Sequence, residues 1–141
     1  MATALQTAER RDVGRSPEAC AAARRWVREV TQAWQCPDDQ AADVALVLTE
    51  LAANAMQHAL PPCRAVLELR DDRTVVVTVL DGGPAPTALP QRDADEHGRG
   101  LTLVGGLSTD SGRRSAAPPF RVGAYAAVPV PAALMADVRS R

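Results

Sequence analysis

The chain has 141 residues, 46% of them hydrophobic and 23% charged, which fits one packed domain with a single core and excludes a disordered polar chain. Net charge is −1 with a pI near 6.1, which argues against nucleic acid as a direct partner. All 16 basic residues are arginine, so every mechanism that needs a lysine, such as a P-loop phosphate lysine or a Schiff base, is excluded.

Cys20, Cys36 and Cys63 are odd in number and widely spaced, so reduced thiols are expected rather than a disulfide framework or a metal site. The N-terminus carries Glu9, Arg10, Arg11 and Asp12 and no apolar h-region of a signal peptide. The longest apolar runs, around Val44–Leu48 and Val75–Leu80, are too short to cross a bilayer. A cytoplasmic protein without a membrane partner is expected.

Residues 1–15 are polar and weakly patterned, an N-terminal tail leading into an edge strand. Ser16-Pro17-Glu18 is a helix start, with a capping hydroxyl, a proline in the first turn and an early acid. Ala23, Trp26, Val27, Val30 and Trp34 follow at helical spacing as a buried stripe, with Arg24, Arg25 and Arg28 off it. Cys36-Pro37-Asp38-Asp39 breaks the chain and caps a second helix running to about His58 or Ala59, where Pro61-Pro62 stops it.

Ala65, Leu67 and Leu69 alternate with Arg64, Glu68 and Arg70 as a half-buried strand. Asp71-Asp72-Arg73 makes a turn, and Val75, Val77 and Val79 return as the second strand of a hairpin. From Gly82 to His97 runs a Pro-, Asp- and Gly-rich loop of a length usual for functional lids. Leu101, Leu103, Val104 and Leu107 suggest a short helix, Ser111–Pro119 a turn region, and Phe120, Val122, Ala124, Ala126 and Val128 a final strand. The expected fold is a two-layer α/β sandwich, a mostly antiparallel sheet with helices on one face. Its domain is expected to span 16–130, with 131–141 as a C-terminal tail.

Three pieces carry chemistry. Glu50, Asn54 and His58 recur every four residues, so they drift only about 40° per step and share one face of the second helix. A carboxamide oxygen suits magnesium, and a carboxylate one turn away can orient or deprotonate an attacking hydroxyl. Asp81-Gly82-Gly83 ends an apolar strand, and such an aspartate can accept from the exocyclic amine of adenine while the glycines admit the base. A plain strand-ending turn is the competing reading. Gly98-Arg99-Gly100-Leu101 opens a helix on glycines, where free backbone N–H groups can bind phosphate oxygens.

Taken in order, these pieces resemble the N, G1 and G2 boxes of the Bergerat (GHKL) nucleotide-binding fold of gyrase B subunits, heat-shock chaperones, mismatch-repair proteins and histidine kinases. The stretches Ala45-Leu46-Val47-Leu48-Thr49-Glu50-Leu51-Ala52-Ala53-Asn54-Ala55 and Gly98-Arg99-Gly100-Leu101-Thr102-Leu103-Val104 are more narrowly similar to compact anti-sigma-factor serine/threonine kinases of bacterial partner switching. The resemblance covers roughly residues 16–130.

That resemblance implies ATP and Mg2+ as cofactors, with Asn54 holding magnesium and Glu50 as general base on a serine or threonine hydroxyl. It implies that Asp81 reads adenine, that Gly83 permits its approach, and that Gly98, Arg99, Gly100 and Leu101 wrap the phosphates. It also implies a small anti-sigma-factor antagonist and a sigma factor as partners, and homodimerisation. His58 and His97 are read as bystanders. Ala85 stands where the wider superfamily has a second glycine, and Arg121-Val122-Gly123-Ala124-Tyr125 replaces a strand that often carries Lys and Trp. No phosphoacceptor-histidine helix pair precedes the domain, so a complete sensor histidine kinase is not expected. Two rival readings are a nucleotide-responsive binding module without useful kinase activity and a small ATPase of another assembly.

Overall fold

The computed structural model describes residues 5–86 and 103–130. In chain order its elements are β1 (Leu5–Asp12), α1 (Pro17–Ala33), α2 (Asp38–His58), β2 (Arg64–Arg70), β3 (Thr74–Asp81), α3 (residues 103–107), β4 (Asp110–Ser115) and β5 (Val122–Pro129).

Helix α1 begins as its sequence dictates: Ser16 Oγ accepts the Ala19 amide at 3.0 Å, and Pro17 opens the first turn. It closes through Gln35 in the left-handed region (φ 59°), which lets the Gln35 and Cys36 amides reach back to the Gln32 and Thr31 carbonyls at 3.0 and 2.9 Å. Ala23, Val27 and Val30 are buried, and Trp26 and Trp34 pack partly against the core, so the apolar stripe faces inward. Fully buried Thr31 satisfies its hydroxyl by donating to the Val27 carbonyl at 2.8 Å.

Helix α2 departs from expectation at its start. No aspartate caps it: Pro37 occupies the N-cap without a side-chain bond, and Asp38 and Asp39 lie inside the first turn. There their charges favour the helix through its dipole rather than through a hydrogen bond. The helix ends at His58, and Ala59 is already extended, ahead of two prolines that disfavour helical backbone.

The five strands form one sheet in the order β1-β2-β3-β5-β4, with every pairing antiparallel. The β2–β3 hairpin turns at Arg73 (φ 62°), and Asp72 Oδ1 accepts the Thr74 amide at 3.1 Å. Register places Leu67, Val77 and Ala126 in one row and Leu69, Val75 and Val128 in the next, all buried. Helix α2 lies across β3 and β5 on this face, and α1 packs against α2. The fold is therefore the two-layer sandwich the sequence implied, with the core between sheet and helices.

The other face of the sheet is covered by its own long side chains. A Cβ on Gly123 would stand 3.0 Å from Leu80, and one on Gly112 would stand 3.2 Å from the Tyr125 hydroxyl, so both glycines make room for these groups. Arg114 stacks over the Tyr125 ring at 3.8 Å. Arg64 lies 5.1 Å from the Phe120 ring and pairs with Asp12 at 2.7 Å.

Two corrections fall near the C-terminal end of this region. Much of the expected turn region, Ser111–Pro119, is strand: β4 forms the edge beside β5, with all six residues exposed. Its Asp-Ser-Gly-Arg-Arg-Ser sequence has no alternation because neither face is buried, and the pairing comes from the β5 backbone. Phe120 is buried but precedes the last strand, which starts at Val122. Among the described residues no helix is long and apolar enough to cross a membrane.

Candidate functional site

Helix α2 presents three different surfaces, because successive residues rotate by roughly 100°. Val44, Val47, Leu48, Leu51 and Ala55 are buried against the sheet. One flank, with Thr49, Ala52, Ala53 and Met56, meets Cys20, Ala23 and Arg24 of α1 around a cavity of about 110 Å³. Glu50, Asn54 and His58 occupy the opposite flank, and all three are half-buried. Among the described residues the Glu50 and Asn54 side chains make no hydrogen bond. A carboxylate and a carboxamide one turn apart on a helix flank form a hard-oxygen edge suited to a hydrated, phosphate-bound magnesium ion. No group of three or more His, Cys, Asp or Glu side chains among the described residues could hold a metal, so a protein-only cage is not available there.

The end of β3 supplies the second piece. Asp81 is 8% exposed, and its Oδ1 accepts the Gly83 amide at 2.8 Å. Its Oδ2 makes no hydrogen bond among the described residues. The strand-ending turn is present, and it uses one carboxylate oxygen, so it does not conflict with a ligand contact at the other. Gly83 has φ +94°, a conformation that side chains resist.

Gly82 does something that its place in a glycine pair did not reveal. A Cβ there would lie 2.5 Å from the Pro61 carbonyl oxygen and 2.8 Å from that of Leu60. The bare backbone instead lets the Gly82 amide donate to Leu60 at 2.7 Å, the Leu60 amide to Gly83 at 2.8 Å and the Ala85 amide to His58 at 2.9 Å. Asp81 also accepts the Arg121 amide on its carbonyl at 2.8 Å, tying in the start of β5. The helix bearing Glu50 and Asn54 and the strand bearing Asp81 therefore end in one hydrogen-bonded unit.

Arg15, in the β1–α1 connector, had no sequence signal at all. Its two terminal nitrogens donate to the Met56 and Ala59 carbonyls at 2.7 and 3.0 Å, 41 and 44 residues away. The expected phosphate residues Gly98, Arg99, Gly100 and Leu101 lie outside the described residues. After them, α3 buries Val104 against the core and leaves Leu103 exposed.

The three cysteines are free, Cys20 half-buried and Cys36 and Cys63 buried. Burial pushes the Cys63 thiol up to about 11, the negative charge of Asp81 adds to the rise, and Arg15 opposes it. Burial likewise raises Cys36, against the pull of Arg73. Both stay protonated at neutral pH and are poor nucleophiles.

A helix-covered antiparallel sheet, with an Asp-Gly-Gly strand end bonded to a helix carrying Glu and Asn, defines a nucleotide-binding domain of the GHKL type. Residues 14–118 match the family description of the histidine kinase-like ATPase domain, and the chain belongs to that family of ATP-binding domains. No curated protein matches the chain in sequence.

Proposed function

We propose that this domain is an ATP-binding regulatory serine/threonine protein kinase of the anti-sigma-factor type, which phosphorylates a small antagonist protein and controls a sigma factor. One observation carries the reading. Among the described residues the Glu50 and Asn54 side chains on the flank of α2 make no hydrogen bond, and the end of that helix is bonded to the turn that presents Asp81.

In this reading Asp81 Oδ2 accepts from the adenine amine, and the Asp81–Gly83 bond holds the carboxylate in place for it. The Asn54 amide oxygen holds the magnesium ion. Bound magnesium supplies neutralisation of charge on the phosphoryl oxygens. Glu50, one turn away, orients the acceptor hydroxyl and takes its proton. Gly98, Arg99, Gly100 and Leu101 contribute phosphate contacts on the strength of the resemblance. Homodimerisation and cytoplasmic residence belong to the same proposal.

The reading is tested in two stages. Titration calorimetry with Mg-ATP and Mg-ADP compares the parent chain with Asn54→Ala and Asp81→Asn. Nucleotide binding is expected in the parent, with magnesium dependence lost in the first variant and affinity lost in the second. Labelled ATP is then offered with a small antagonist-type protein carrying a central serine. Phosphorylation that Glu50→Gln abolishes while nucleotide still binds supports the kinase. Nucleotide binding that changes partner affinity without phosphate transfer favours the binding module.

A further inference from the structure

We propose that Arg15 is a positioning residue for the magnesium-bearing part of α2, an assignment that rests on the ATP reading above. The last carbonyls of any helix lack intrahelical donors and must find partners elsewhere. At the end of α2 that demand is met from two directions. The Ala59 amide serves the Ala55 carbonyl, and the Asp81–Ala85 turn serves His58 and Leu60 through the Ala85 and Gly82 amides. Met56 and Ala59 are served by Arg15 alone among the described residues.

The bond to Met56 falls two residues after Asn54, in the turn whose backbone fixes where the Asn54 amide points. A planar guanidinium can span two carbonyls at once, and its charge suits the negative end of the helix dipole. Arg15 is exposed, so its contribution is the fork of hydrogen bonds rather than core packing. Without it, the last turn of α2 frays on the Met56 side. The Asp81 turn keeps its own bonds to His58 and Leu60. Arg15 therefore acts on the magnesium–phosphate half of the site and leaves the adenine half in place.

The test is a set of calorimetric titrations of the full chain with adenosine and with Mg-ATP, on the parent, Arg15→Ala and Arg15→Lys. Arg15→Ala is expected to weaken Mg-ATP roughly three- to tenfold. Adenosine affinity is expected to stay within about twofold, because a merely structural loss would weaken both ligands together. Arg15→Lys, able to serve one carbonyl at a time, is expected to fall between, and it carries the comparison should the alanine variant fail to fold. Unchanged Mg-ATP affinity, or an equal loss for adenosine, overturns the positioning role while the ATP site stands. A parent chain that binds neither ligand overturns the ATP reading and this assignment with it.

Discussion

The amide of Gly82 donates to the carbonyl of Leu60 at 2.7 Å, and that contact joins the exit of α2 to the end of β3. A methyl group at position 82 would meet two backbone oxygens, which cannot rotate away as a side chain could. Gly82→Ala is expected to lower stability by about 2–3 kcal/mol in denaturant unfolding. Gly105, which has nothing within 4 Å of its Cβ position and lies in α3, is the control. Gly105→Ala is expected to be neutral or to add up to about 1 kcal/mol.

Asp81 allows its structural and ligand roles to be separated. An asparagine keeps an Oδ1 acceptor for the Gly83 amide and replaces the second oxygen with a donor. Asp81→Asn is therefore expected to melt within a few degrees of the parent yet bind ATP at least about tenfold more weakly, through the wrongly facing donor. Asp81→Ala is expected to lose melting temperature as well. Equal ATP affinity for Asp81→Asn and the parent would remove Asp81 from adenine recognition.

Cys63 makes stability depend on alkaline pH. Its thiol ionises at 9.0 in the unfolded chain and at about 11 in the folded one. The folded state therefore holds an extra proton between those values, and rising pH shifts the balance towards the unfolded state. The contribution is fully present below pH 9.0 and is lost as the pH rises to about 11. A loss on the order of 2 kcal/mol is expected across that window. Chemical unfolding at pH 8 to 11 should show a shallower decline for Cys63→Ala, with a residual slope from Cys36, which shifts in the same direction.

The Ser16 cap is a local device and should behave as one. Ser16→Ala removes the acceptor for the Ala19 amide and is expected to reduce stability by about 1 kcal/mol. Ser16→Asp should restore it and add a favourable charge at the helix start. Thermal melts of the three chains give the comparison.

Much of the framework was legible in the order of residues. The Ala23–Val27–Val30 stripe, the Val75–Val77–Val79 alternation and the Ser16 start are patterns that burial and capping impose on neighbouring residues. The Glu50–Asn54 spacing and the Asp81-Gly82-Gly83 strand end were visible for the same reason, since helix pitch and glycine freedom act over a few residues. Strand β4 was not visible, because its six exposed residues carry no apolar alternation and its place depends on the β5 backbone.

What the sequence determined by itself is which faces must be buried and that a carboxylate and a carboxamide share one flank of α2. Tertiary structure alone decided that Gly82 is the contact between α2 and β3, and that Arg15 closes the helix end 41 residues away. Both links end on backbone carbonyls, which every residue possesses, so no side-chain pattern announces the acceptors before the chain has folded.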